Sequence, residues 1–321
     1  MKFFWRQIEE ATLGTVNLAI QRLPKVKAIP VVKPRLPQVV AAANQDGLPL
    51  VALVRGKNGI LASAEALGLL GGLEQLKVSG QTVLVKPNFN SPHPYPATTD
   101  PVLLLWLIQS LKQAGAQRVL VGESSGAPWW PTRKVLQKLG IFEMVGKAGG
   151  ELVIFEEDNR WVRVATGGRY FPQVILPRIV FEVDRVIYLS LMKSHRYAQL
   201  SGSLKLAVGL LHPAQRKYLH LSHLKEKIVD INRGFTPDLV IADCRKTFLT
   251  HGPTQGTIIE PELILASANQ VALDWEGVRQ LQKSPDQFRT LTYAVAAGLG
   301  PPTGAYQVVT SDAQPVVHKL V

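Results

Sequence analysis

Residues 186–211 read VIYLSLMKSHRYAQLSGSLKLAVGLL. Val186–Leu191 is an uninterrupted apolar run with a β-branched start, the pattern of a strand buried on both faces of a parallel sheet. Lys193 and His195 follow at once, then Gly202 and Ser203 open a helical pattern (Leu204, Val208, Leu211) that carries Lys205. In an open α/β sheet ligands gather beyond the carboxyl ends of the strands, so this loop is the first place to expect a site. The free N–H groups of the helix starting at Gly202–Ser203 are expected to hold an anion, with Lys205 assisting.

Outward from this strand the same grammar repeats. Strands are read at Leu50–Val54, Thr82–Val85, Arg118–Val121 and Asp238–Asp243, and helices at Ile60–Leu70, from Pro101 to Leu111, Thr132–Leu139, Phe142–Ala148, Ser222–Asn232, Asn269–Gln282 and Phe288–Ala297. Such alternation with short connections predicts a mostly parallel, doubly wound α/β sheet with helices on both faces. Glu151–Phe155, Trp161–Val164 and Gln173–Pro177 read as shorter strands, a small β insertion around 151–177. Ile258–Ala266 reads as one or two strands. Residues 1–48 read as an N-terminal helix (about Trp5–Leu23) followed by a proline-rich basic arm, and 49–321 as the α/β domain.

Of 321 residues 46% are hydrophobic and 19% charged, ample for a core and too apolar for disorder. The 36 Lys and Arg against 24 Asp and Glu leave a net charge of +12, a field that suits carboxylated or phosphorylated ligands or an anionic surface. The positive charges are scattered, without stacking aromatics or zinc-finger spacing, which disfavours nucleic acid as a partner. One cysteine, Cys244, excludes an intrachain disulfide and any iron–sulfur cluster held by four cysteines of this chain. A reducing, cytoplasmic setting is expected, with peripheral membrane contact open through the amphipathic N-terminal segment and its basic arm.

Four strand ends carry polar groups that the sheet could present to one crevice: Lys86 with Asn88, Glu123 with Ser124 and Ser125, Lys193 with His195, and Asp243. The expected roles are neutralisation of an anionic ligand by Lys86, Lys193 and Lys205, acid–base chemistry at His195, and orientation of His195, or retention of a divalent ion, by Asp243 or Glu123. His220 and His223, three apart on an expected helix, together with His212, His251, Asp243 and Asp274, keep a divalent metal open as a cofactor, although no closed ligand template is matched. The GESSG run of 122–126 is too short for a Walker loop.

The ordered set LVKPNFN with TTDP, GAQRVLVGESSG, VDRVIYLSLMKSH, GSLKLAVGLL, Arg216–Asn232, DLVIADC, HGPTQG and NQVALD resembles the bacterial and archaeal family called domain of unknown function 362, over about residues 51–274. The resemblance implies no single activity; it implies recurrent positions at Lys86, Asn88, Thr99, Asp100, Lys193, His195, Lys205, Gly209, Gly252, Pro253, Gly256 and Asp274. It also implies an association with iron–sulfur proteins, which here would require a cluster held by a partner protein. One departure concerns Leu206, where many members carry Asn after the lysine. A non-catalytic role, docking to such a partner or to a membrane surface, therefore stands beside the enzymatic one.

Overall fold

The computed structural model describes residues 29–38, 42–126 and 130–320. The expected N-terminal helix at Trp5–Leu23 lies outside the described residues. In chain order the strands are β1 (Val31–Val32), β2 (Leu50–Arg55), β3 (Thr82–Lys86), β4 (Arg118–Glu123), β5 (Glu151–Ile154), β6 (Trp161–Ala165), β7 (Gln173–Pro177), β8 (Arg185–Leu191), β9 (Lys193–His195), β10 (Gln199–Ser201), β11 (Leu239–Cys244), β12 (Thr247–Phe248), β13 (Ile258–Ile259), β14 (Leu263–Ser267), β15 (Ala305–Val309) and β16 (Val316–Lys319). Nine of them form the central sheet in the order β16-β15-β2-β14-β11-β8-β3-β4-β5. The run from β11 to β5 is parallel throughout, while β14 is antiparallel to both its neighbours and β16 is antiparallel at the edge. The fold is thus mixed α/β around a mostly parallel sheet.

Side chains of successive residues serve opposite faces, as the two-residue strand period requires. Val83, Val85, Val119, Val121, Ile187, Leu189 and Ile241 face one layer, where helices Gly59–Leu69, Pro101–Gln113, Thr132–Lys138 and Ile141–Lys147 pack. Leu84, Leu120, Val186, Tyr188, Val240 and Ala242 face the other, covered by Leu224–Gly234, Gln270–Gln280 and Arg289–Ala296. Leu104, Leu107 and Ile108 are wholly buried in the first layer, and truncating any of them to Ala would cost about 2–5 kcal/mol.

One part of the small-sheet expectation is corrected. β5 does not belong to an insertion; it is the parallel edge strand beside β4. β6 and β7 do form a separate antiparallel pair, and β1 adds to it in parallel. The proline-rich segment around β1 is therefore packed on the body, and Arg35 reaches a buried ion pair with Asp238 at 2.8 Å. Residues 258–266 form two strands in different sheets, β13 with β12 and β14 in the centre. Among the described residues no helix is long and apolar enough to cross a membrane.

Candidate functional site

β3 and β4 end side by side, and the chain after β8 folds back over them. There β9 and β10 pair antiparallel, with His195 opposite Gln199, before the short helix Ser203–Leu206 and a 3-10 turn at Ala207–Leu210. Between these segments lies a crevice of about 480 Å³. Lys86, Asn88, Glu123, Ser124, His195 and Lys205 all line it, so six of the eight site residues expected from sequence are brought together. Lys193 sits buried without lining the crevice, its Nζ donating to the Ala97 carbonyl oxygen. Asp243 is elsewhere.

The base of the crevice is a closed polar network. Lys86 Nζ donates to Glu123 Oε1 at 2.5 Å and to the Pro87 carbonyl at 2.8 Å. The same carboxylate accepts from the Ser124 amide at 2.8 Å and, through Oε2, from the Phe89 amide at 2.7 Å. Glu123 is thus held by these three donors, and no hydrogen bond joins it to His195. Burial pulls Lys86 below its ordinary pKa, and the Glu123 charge works against that fall. Gly209 lies against this pair: a Cβ there would stand 2.9 Å from Lys86 Nζ, so only glycine lets the 3-10 turn approach so closely.

Arg216, which sequence reasoning had not singled out, clamps the GESSG loop. Its guanidinium donates to the carbonyl oxygens of Ser124 (3.2 Å), Ser125 and Leu211 (2.8 Å), and to Ser124 Oγ (2.6 Å). Ser124 Oγ in turn donates to Glu156 Oε1 at 2.7 Å, which commits that hydroxyl's one hydrogen. The loop's amides are also consumed internally, Ser125 N by Thr132 Oγ1 and Gly126 N by the Asn90 carbonyl. No phosphate cradle is left there. Asn88 Oδ1, Asn90 Oδ1 and Arg216 Nε are buried around the crevice without a partner among the described residues, and orphaned buried polar atoms in a cleft are groups a ligand would satisfy.

The expected anion site at Gly202–Ser203 is already occupied by the chain itself. Asp274, buried in the helix Gln270–Gln280, accepts from Ser203 N at 2.7 Å and Leu204 N at 3.0 Å. The helix start does bind a carboxylate, an internal one. Burial raises the Asp274 carboxyl to about 6 despite those two amide bonds.

Lys205 remains. Among the described residues no hydrogen bond or ion pair engages its ammonium. Burial, then the neighbouring Arg216 charge, lowers it to about 8. Lys193 falls to about 7 through burial and then Lys205. His195 is driven down to about 2 by burial, then by Lys205, His220 and Lys193. Its Nδ1 accepts from the amides of Tyr197 (3.2 Å) and Ala198 (3.1 Å), capping the β9–β10 turn. Such bonding assigns the hydrogen to Nε2 and leaves a neutral imidazole, a hydrogen-bond donor toward the crevice and not a proton carrier at neutral pH.

Asp243 serves another cluster. Arg245 donates to both its oxygens, at 3.0 and 2.6 Å, and also to Asp100 at 2.7 Å, while Tyr95 Oη donates to Asp243 Oδ1 at 3.2 Å. Orientation of His195 by Asp243 is not what the structure shows. The metal candidates disperse as well. His220 precedes the helix that starts at Leu224, and His223 caps it at φ +49°, so the two do not share a helical face. No group of three or more His, Cys, Asp or Glu side chains among the described residues is arranged to hold a metal ion.

A sequence signal for Arg216 and Lys217, both lining residues, did exist. From Arg185 to Lys225 there is no Asp or Glu at all, against seven Lys or Arg and four His. An acid-free stretch of that length is a basic surface that the chain does not neutralise locally.

The chain matches the family described as Domain of unknown function (DUF362) over residues 83–279, more than half its length. It belongs to that family. The match spans every element that builds the crevice, from β3 to the helix bearing Asp274. This DUF362 chain is also 27% identical, over 265 residues, to a thylakoid-associated protein of Synechocystis, covering 78% of this chain and 80% of that one. Among solved structures, it is similar to the lactate racemase apoprotein of Thermoanaerobacterium thermosaccharolyticum, with a TM-score of 0.47 and 13% identity over 78% of this chain. The alignment spans 60% of the racemase's length.

Proposed function

We propose that the DUF362 crevice binds a small anionic ligand, a carboxylate or a phosphate, and that the chain is an enzyme acting on it. The observation that carries this is the charge of the lining: Lys86, Lys205, Arg216 and Lys217 face the cavity with a single carboxylate, Glu123, already paired to Lys86. An anion would relieve the mutual repulsion of Lys205 and Arg216, and both donate hydrogen bonds that suit oxyanions. In this reading the proton carrier is an amine. Lys205, at about 8, exchanges protons close to neutral pH and lines the cavity, Lys193 lies behind it, and His195 offers a fixed Nε2–H donor.

Calorimetric titration of the full chain with phosphate and with small di- and tricarboxylates tests the proposal. Binding by the wild type and its loss in Lys205→Met, at an unchanged melting temperature, is the expected result. Equal affinity of both proteins for every anion would overturn it.

A second reading is favoured by the thylakoid-associated relative and the net charge of +12: an accessory protein of a reducing, cytoplasmic compartment that docks to a membrane surface or to an iron–sulfur partner through its basic face. It predicts association that weakens steeply with salt and is indifferent to Lys205.

A further inference from the structure

The rim of the crevice differs from its interior. Of the large hydrophobic side chains exposed on the described surface, three adjoin lining residues in space or along the chain: Trp130, 43% exposed, Tyr197, 62%, and Leu221, 68%. Tyr197 stacks edge-on against His220 with ring centroids 5.9 Å apart and lies 6.4 Å from the ring of His195, both lining residues. Trp130 donates its amide to the carbonyl of Gly126, another lining residue, at 3.3 Å. Leu221 adjoins His220 in the chain. Isolated exposed apolar residues are ordinary on a protein surface, but three that each adjoin a lining residue of one cationic cleft are not scattered. Arg196, next to Tyr197 in the chain, and the lining residue Lys217 are exposed as well.

Cations at depth and aromatic or aliphatic groups at the lip match a molecule with an anionic head and an apolar tail. Trp and Tyr with neighbouring basic residues are also what a protein presents to the interface of an anionic bilayer. We propose that the ligand of this crevice is the phosphorylated head group of a membrane lipid, taken from the bilayer surface with its acyl chains lying across Trp130, Tyr197 and Leu221. This rests on the anion-binding reading of the crevice and adds the tail and the membrane as the source.

The test compares glycerol 3-phosphate with dihexanoyl phosphatidate, kept below its micelle concentration, by calorimetry on the full chain. Burial of even a few methylenes should make the tailed probe bind about tenfold tighter or more. In the variant Trp130→Ser/Tyr197→Ser/Leu221→Ser that advantage should vanish while glycerol 3-phosphate affinity stays put; Tyr197→Ser alone should remove part of it. All three positions are exposed, so the fold is not at stake. Vesicles of phosphatidylcholine with phosphatidate should sediment the wild type and not the triple variant, and vesicles of phosphatidylcholine alone should sediment neither. Equal affinity for both probes would leave the anion site standing and sink the lipid. No binding of either would remove both ideas. A tail advantage that survives in the triple variant, vesicle binding that depends on salt alone, or displacement of the lipid by an acidic peptide at lower concentration would also overturn the assignment.

Discussion

Asp243, at the end of β11, and Lys205, in the short helix beyond β10, are both charged groups held near strand ends of one sheet, and the chain treats them oppositely. Asp243 is surrounded: Arg245 spans it and Asp100, and Tyr95 adds a hydroxyl. Burial by itself would lower Arg245, yet its hydrogen bond and charge pairing with Asp243 carry it above its ordinary pKa. Among the described residues Lys205 has no such companion, and the charge that acts on it is another cation, Arg216. Two strand-end clusters on one scaffold thus separate a charge the fold uses for itself from a charge it leaves for something else. Position at a strand tip nominates a residue; the state of its partners decides between architecture and binding.

The comparison breaks most sharply at Arg245. Arg245→Met strands a carboxylate that is 2% exposed, and removal of one member of such a pair costs about 3–5 kcal/mol. A loss of unfolding free energy of that order in urea titrations, with phosphate affinity unaltered, is the expected outcome; loss of affinity at full stability would place Arg245 in the binding machinery and erase the contrast.

Gly209→Ala probes the boundary between the two kinds of charge. The added methyl would press on the buried Lys86 side chain, which is pinned between Glu123 and the Pro87 carbonyl and cannot swing away. Overpacking of this sort costs about 1–3 kcal/mol. Thermal melts should register it, and a variant as stable as the wild type would show that the Lys86–Glu123 pair is looser than its geometry suggests.

Much of this arrangement was legible in the sequence because parallel strands must be apolar on both faces. VLV after Thr82, VLV after Arg118 and VIYLSL after Arg185 announce themselves by that demand, and each delivers its polar tip to the right end of the sheet. Partners across long separations were not legible. Nothing local tells that Asp274 will cap a helix 71 residues earlier, or that Val31 will pair with Arg163. Asp274 therefore read as a metal candidate and the Gly202–Ser203 amides as vacant, when each was the other's answer. His195 misled in the same way: its residue type promises a proton carrier, while its Nδ1 is spent on the next turn.

Lys205→Met sharpens the contrast from the other side. Loss of a contact between an ammonium and an oxyanion should weaken phosphate binding about tenfold, or roughly 1.4 kcal/mol. The melting temperature should hold or rise, since the variant no longer carries a half-buried ammonium beside the Arg216 charge. A large drop in stability without loss of binding would make Lys205 another Asp243.

The smallest effect is the most diagnostic, because only an unpaired amine produces it. In the fold Lys205 lies near 8 and Lys193 near 7, both below the ordinary lysine value of about 10.4. Folded pKa values depressed in this way give stability that is fully present above the unfolded value and is lost as pH falls through about 8 and then about 7. Stability contributed by these two groups should therefore decline from pH 10 toward pH 7, a slope that Lys205→Met makes shallower. An anion beside Lys205 favours its charged form and raises its pKa, so binding between pH 8 and 9 should take up protons. Heats measured in buffers of different ionisation enthalpy read that uptake directly. The Arg245 cluster, already neutralised by its own carboxylates, should contribute none, so wild-type binding with no proton uptake would mean that the ligand meets a charge the fold had already satisfied.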